Sequence, residues 1–234
     1  MNGRKKRALL LINPHARRGG ESLDAIVGRL HKGGLDITIE PFSALPEIAR
    51  DIARLRENAD MIILCGGDGT IASGAMAVME SGLPLGIFPL GTANDLARTL
   101  GIPADLAAAA GIIAAGRTRR IDIGLVNGLP FFNVASIGMS SDLTRQLTHD
   151  VKQRLGKLGY LVTALKVLVR ARHFRAVIGG NGRRQRVRTL QIAVGNGVYY
   201  GGGTVVEENA TIDDGMLSLY SLEFRRPWKI ALLA

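Results

Sequence analysis

A short apolar run at residues 61–64 passes almost directly into Gly66-Gly67-Asp68-Gly69-Thr70 and then into a helix of small residues, 71–80. This junction constrains the fold more than any other segment. Brief continuous apolar runs fit strands buried on both faces, as in parallel sheets. The glycines let the chain turn sharply and let backbone N–H groups approach an anion with no Cβ in the way. Thr70 is read as opening the helix, whose positive end then faces the same point. Asp68 adds a hard oxygen acceptor of the kind magnesium needs, directly or through water. A plain strand-to-helix turn capped by Thr70 is the simpler alternative, but three glycines and an acid exceed what it requires.

The same pattern recurs. Residues 8–12, 36–40 and 85–88 read as strands, and 22–31, 46–56, 93–100 and 105–115 as helices. Alternating β and α segments predict a parallel sheet covered by helices. Two further polar, glycine-containing loops follow strands: 89–98, with Thr92, Asn94 and Asp95, and 13–20, with Asn13, Pro14, Arg17, Arg18, Gly19 and Gly20. Capping would account for one polar residue before the 93–100 helix. Three loops on one edge of a sheet, where ligands of open α/β folds bind, predict a nucleotide site.

Near residue 121 the pattern changes. Residues 121–126, 129–135, 176–179, 186–195 and 216–221 read as strands, with turn signals at Asn127-Gly128, Asn181-Gly182 and Asp214-Gly215. The expectation is an α/β Rossmann-like three-layer domain over 1–122, then a β-rich, sandwich-like domain over 123–234 containing one helix, 158–170. Arg226-Pro227-Trp228-Lys229 reads as a helix start, and apolar residues 230–234 follow it. That ending suggests a truncated or split product.

Composition narrows the setting. The 234 residues hold one cysteine, Cys65, so no disulfide framework exists and a reducing compartment fits. No stretch is long and apolar enough to span a bilayer, and Asn13-Pro14-His15 cuts off the only run resembling a signal peptide. A cytoplasmic protein is expected. The net charge of +10 favours anionic partners: acidic headgroups, phosphorylated substrates or nucleic acid. Neither zinc-ligand spacing nor aromatic-rich strands support nucleic acid. Leucines over 155–168 with nearby Lys and Arg fit either a membrane-facing amphipathic helix or a core-packed one. A homodimer stays open.

Residues 66–70 together with 90–98 resemble the nucleotide-binding signature of the bacterial diacylglycerol-kinase-like lipid kinases, a family that includes sphingosine and ceramide kinases. Asn13-Pro14 with Gly19 is similar to the family's opening loop. Residues 132–138, 195–197, 200–203 and 210–217 are similar to later blocks, in order along nearly the whole chain. The resemblance implies a kinase that moves the ATP γ-phosphoryl to a lipid hydroxyl, working peripherally on the inner face of the cell membrane with an anionic lipid surface as partner. It implies ATP contacts at Asn13, Pro14, Ser43, Gly66, Gly67, Asp68, Gly69, Thr70, Thr92 and Asn94. Asp68, Asp95 and Asp122 would hold Mg2+ through water, and Asp214 with carbonyls near Thr211 and Met216 would form a structural Mg2+ site. A hairpin turn is the plainer reading of Asp213-Asp214-Gly215.

Departures exist. Ala72-Ser73 stand where Asn-Glu is usual, and Arg17 where glycine is common. The family's general base lies in an Asp-Gly-Glu element near the C-terminus. No such element occurs here, so the base is expected beyond residue 234, Asp68 is the fallback, and this chain is expected to bind nucleotide yet transfer phosphate poorly. An NAD-kinase-like enzyme, which shares the glycine motif, and a non-catalytic nucleotide- or lipid-binding module are the alternatives.

Overall fold

Four parallel strands make the central sheet: β1 (Lys6–Ile12), β2 (Leu35–Pro41), β3 (Met61–Gly66) and β4 (Leu85–Pro89), in the spatial order β2-β1-β3-β4. The computed structural model describes residues 4–13, 23–139, 171–180, 182–200, 204–205 and 210–223. The loop residues Pro14, Arg17, Arg18, Gly19 and Gly20, the 155–168 stripe, residues 201–203 and the 226–234 end lie outside these.

Alternation along the buried strands sends side chains to both faces. Leu9, Leu11, Ile62, Leu64 and Ile87 pack with Ile48 and Ile52 of α2 (Leu45–Leu55) and Ile71, Ala75 and Val78 of α3 (Asp68–Ser81). Ala8, Leu10, Ile12, Ile63 and Phe88 pack with Ile26 and Leu30 of α1 (Leu23–Lys32) and Ala109, Ala110 and Ile113 of α5 (Leu106–Ala115). The three layers are therefore helix, sheet, helix. Burying each large aliphatic side chain is worth roughly 1.5–3 kcal/mol. Cys65 sits within the second cluster, where burial pushes its thiol pKa up and keeps it protonated.

A polar clip closes the sheet's lower end. The Arg7 N–H donates to Asp60 Oδ2 at 2.8 Å, and the Asp60 N–H donates to the Arg7 carbonyl at 2.8 Å. The Arg7 backbone N–H, then its side chain, hold the Asp60 carboxyl below the usual carboxylate range. A depressed carboxylate stabilises fully above its unfolded pKa and loses that contribution as pH falls through its folded pKa. Asp60→Asn should therefore lower the melting temperature at neutral pH, and the gap to wild type should narrow on acidification. A gap that is constant with pH would show that the charge contributes nothing.

The contact pattern groups residues 1–133 with 196–216 as one compact unit, and 134–195 with 217–234 as another. The sequence pattern changes near 122–123, whereas the first unit also holds the hairpin of β5 (Gly124–Val126) and β6 (Leu129–Phe131). The second unit has an antiparallel sheet ordered β13-β10-β7, from β7 (Val134–Gly138), β10 (Gln191–Gly195) and β13 (Ser218–Leu222). A separate hairpin joins β8 (Phe174–Gly180) and β9 (Arg183–Thr189). The short strands β11 (Tyr199–Tyr200) and β12 (Thr204–Val205) pair in the first unit.

Two expected strands are corrected. The 129–135 run breaks at Phe132-Asn133 into β6 and β7. The 186–195 run breaks at Leu190, so its halves join different sheets. At the second break the Thr189 hydroxyl, donor to one partner at a time, lies 2.7 Å from the Gln191 carbonyl and 2.8 Å from that of Leu222, and it accepts the Gln191 N–H at 3.2 Å. A side chain replacing ladder bonds in this way interrupts a strand.

Candidate active site

The strand order has a switch point. The chain leaves β1 toward β2 on one side and β3 toward β4 on the other, and open α/β sheets bind ligands outside the carboxyl ends at such a point. Half-buried Asn13 directly follows β1, and Gly67 directly follows β3.

The helix after β3 starts earlier than the sequence reading placed it. The Gly67 carbonyl accepts from the N–H groups of Thr70 at 2.9 Å and Ile71 at 3.1 Å, so α3 begins at Asp68 with Gly67 as its cap. Asp68 therefore lies in the helix's first turn, and Thr70 is its third residue. A Cβ on Gly66 would overlap the Thr70 side chain, so Thr70 folds back over the strand end.

After β4 the expected 93–100 helix shrinks to α4 (Asp95–Thr99), because Asn94 is left-handed at φ 52. Asn94 does not cap through its side chain. Its Oδ1 accepts the Gly91 N–H at 2.8 Å, and its Nδ2 donates to the carbonyls of Gly91 at 2.8 Å and Pro89 at 3.3 Å. The amide thus staples the second glycine turn shut. The two turns touch backbone to backbone: a Cβ on Gly67 would lie 2.9 Å from the Gly91 Cα.

Asp68 joins these parts. Its Oδ1 accepts the Leu96 N–H and the Asn133 Nδ2, each at 3.1 Å, while Oδ2 takes part in neither bond. The Asn196 N–H donates to the Asn133 carbonyl at 2.7 Å. The Asn196 Nδ2 donates to the carbonyls of Asp122 at 2.7 Å and Phe132 at 3.0 Å. The Asp122 Oδ2 in turn accepts the Gly215 N–H at 2.6 Å. A continuous polar chain thus runs from Asp68 through Asn133 and Asn196 to Asp122 and the 211–216 turn.

The residues named from sequence separate into groups. Gly66, Gly67, Asp68, Gly69, Thr70 and Asn94 lie in or beside the two apposed turns, with Asp95 buried at the start of α4 and Thr92 exposed on the second turn. Ser43 is exposed after β2, and its N–H donates to Glu47 Oε2 at 2.7 Å at the start of α2. Asp122 is bonded into the 211–216 turn, where Asp214 Oδ1 accepts the Met216 N–H at 2.9 Å. That bond leads the causes holding the Asp214 carboxyl below its usual range, and Thr211 adds to it. Arg119 pairs with Asp213 at 2.6 Å.

Among the described residues no three Asp, Glu, His or Cys side chains converge at metal-ligating range, so Asp68, Asp95 and Asp122 form no direct cage. The Asn133 Oδ1 is buried with no hydrogen-bond partner among the described residues. An acceptor left over beside Asp68 fits a bound water, and magnesium usually keeps several waters. The residues present fit a water-bridged ion.

Sequence reasoning assigned no role to Asn133 or Asn196. Both stand next to glycine or aromatic blocks, but an isolated amide carries no spacing rule that marks a site. Asn133→Ala should lower magnesium-dependent ADP affinity about tenfold, as removal of a residue orienting a metal-bound group does. Calorimetry with and without magnesium measures it, and equal loss in both conditions would show a purely structural effect.

Comparison with known proteins agrees with this architecture. Residues 7–126 match the family model described as diacylglycerol kinase catalytic domain, and 133–227 match the YegS C-terminal NAD kinase beta sandwich-like domain. The chain is 36% identical over 216 residues to a "Probable lipid kinase YegS-like" of Klebsiella pneumoniae (strain 342), covering 91% of this chain and 72% of that protein. It is 32% identical over 227 residues to the diacylglycerol kinase of Bacillus subtilis (strain 168), covering 93% and 74%. A crystal structure of a diacylglycerol kinase from Bacillus anthracis str. Sterne superposes with a TM-score of 0.76 at 28% identity, covering 97% of this chain and 76% of that one. With a catalytic-domain model spanning half the chain and relatives 36% and 32% identical over most of their length, the chain belongs to the YegS- and diacylglycerol-kinase-like family of lipid kinases.

Proposed function

We propose that this kinase transfers the γ-phosphoryl group of ATP to the primary hydroxyl of a membrane lipid of the diacylglycerol class, with magnesium, while bound peripherally to the membrane. The observation that carries the reading is the pair of glycine turns, packed backbone to backbone at the sheet's switch point with Asp68 in the first turn of α3. Free N–H groups at that helix start would bind phosphate oxygens. The Asn94 staple fixes the second turn before any ligand arrives, which reduces the ordering cost of binding. Magnesium, when bound near Asp68 and Asn133 through water, would neutralise charge on the phosphate oxygens. In the transfer the lipid oxygen bonds to the γ-phosphorus, the bond to the β-γ bridging oxygen breaks, and ADP leaves. The hydroxyl proton passes to a carboxylate, for which Asp68 is the candidate among the described residues. Such reactions depend chiefly on positioning and electrostatics.

No described helix is long and apolar enough to cross a membrane. The test is a radiolabelled ATP assay against diacylglycerol, phosphatidylglycerol, a sphingoid base and NAD. Label entering diacylglycerol in a magnesium-dependent way supports the reading. Label entering NAD alone overturns it.

A further inference from the structure

The hairpin of β8 and β9 carries a sequence that makes little sense as a structural element alone. Its register pairs Phe174 with Thr189, Ala176 with Val187 and Ile178 with Gln185 on one face, and Arg175 with Arg188, Val177 with Arg186 and Gly179 with Arg184 on the other. The first face points inward apart from the exposed Gln185: Phe174, Ala176 and Ile178 are half-buried, and Val187 and Thr189 are buried. The second face is exposed throughout, with Arg175, Arg184, Arg186 and Arg188 around Val177, itself 63% exposed. A shallow depression of about 520 Å³ is lined by Arg175, Val177, Arg186 and Arg188, together with Ala176 and Val187.

Among the described residues these arginines enter none of the ion pairs, which involve Arg7, Arg50, Arg54, Arg56 and Arg119. Arg175 and Arg188 stand directly opposite each other, and like charges so placed destabilise a strand pair. A solvated face would do as well with mixed signs. Four guanidinium groups without an ion-pair partner among the described residues, kept at a cost in stability, indicate an anionic partner.

We propose that this face docks on an anionic phospholipid surface. Guanidinium groups bind phosphate oxygens in a fixed fork geometry, and each basic residue near an anionic bilayer strengthens binding roughly fivefold. The exposed Val177 among the arginines suits the boundary between headgroups and acyl chains. Nucleic acid fits less well: the face holds only Arg, Val and Gly, with no aromatic ring to stack a base and no amide to read one. The choice of a bilayer over other anions rests on the lipid-kinase reading above, and the docking itself does not require that reading's chemistry.

The test compares three chains by co-sedimentation with vesicles of phosphatidylcholine, with and without one-third phosphatidylglycerol. They are wild type, R175Q/R184Q/R186Q/R188Q, and R4Q/K32Q/R117Q/R120Q, which removes the same charge from exposed positions outside the hairpin. Binding to the anionic vesicles should fall on the order of a hundredfold or more in the hairpin variant, and only a few-fold in the other. R175K/R184K/R186K/R188K should retain most of it, which separates charge from folding. Equal losses in both Gln variants, or none in the hairpin variant, overturn the proposal. So does loss of duplex DNA binding in the hairpin variant with vesicle binding unchanged, which would assign the face to nucleic acid. Mg-ADP affinity should be the same in every chain. If no chain binds Mg-ADP while the vesicle pattern holds, the phosphoryl-transfer reading fails and the docking face stands.

Discussion

Replacing Asp68 with alanine is expected to cut phosphoryl transfer by about a thousandfold or more and to weaken magnesium-dependent ADP binding roughly 10–100-fold. The size follows from where the carboxylate sits. It lies in the first turn of α3, beside the contact between the two glycine turns, and its Oδ1 gathers the Leu96 N–H and the Asn133 amide. Alanine would leave both donors unpaired as well as removing the charge. Asp68→Asn separates these effects, because its carbonyl oxygen can still accept both bonds. The asparagine variant should melt close to wild type and yet transfer phosphate as poorly as the alanine variant. If it kept more than about a tenth of wild-type transfer, a loss far below the usual cost of removing an acid–base group, Asp68 would be a scaffold residue and the proton would go elsewhere.

Much of this site was legible because β1, β3 and β4 each carry a short run of buried apolar residues that stops at a glycine, a proline or an asparagine, whereas the edge strand β2 alternates polar and apolar residues. Burial on both faces forces that composition, so the runs at β1, β3 and β4 stand out, and the ligand loops follow from where they stop. Boundaries set by a single side-chain bond were not legible. The 186–195 segment has one continuous strand-like pattern, and only the Thr189 hydroxyl bonds at Leu190 divide it between two sheets. The 93–100 segment has good helical composition, but the Asn94 staple forces a left-handed residue and begins the helix at Asp95.

The link from Asp68 to Asp122 through Asn133 and Asn196 was not legible for a different reason, although the family resemblance had already grouped the two aspartates. Its members lie at 68, 122, 133 and 196, and two of them are amides whose partners are mostly backbone carbonyls. Spacing rules detect residues on one helix face or one loop. They do not detect a return of residues 196–216 into the unit formed by residues 1–133. Arg175, Arg184, Arg186 and Arg188 stand close together in the sequence, but only the register showed that the four share one face.

Gly91→Ala should damage both the fold and the site, whereas Gly69→Ala should leave the fold intact, although both glycines belong to the same pair of motifs. At Gly91 a Cβ would overlap the Gly67 Cα and lie 2.6 Å from the Asn94 Oδ1. Ordinary carbon contacts need about 3.5–4.0 Å, so the turns must move apart on the order of 1 Å. Overpacking of this kind costs about 1–3 kcal/mol, and the bonds between Asn94 and Gly91 would weaken as well. Displacement by about 1 Å at a positioning element can cost on the order of a hundredfold in rate. At Gly69 a Cβ meets nothing within 4 Å, and the residue is the second of α3, where alanine suits the helical backbone at least as well as glycine. Gly69→Ala should melt at or above the wild-type temperature, so any loss of ADP affinity there would report direct contact between that position and the phosphates. Thermal melts and ADP titrations on the two variants decide the matter. A Gly91→Ala protein with wild-type melting temperature and affinity would mean that the two turns do not need their close backbone contact.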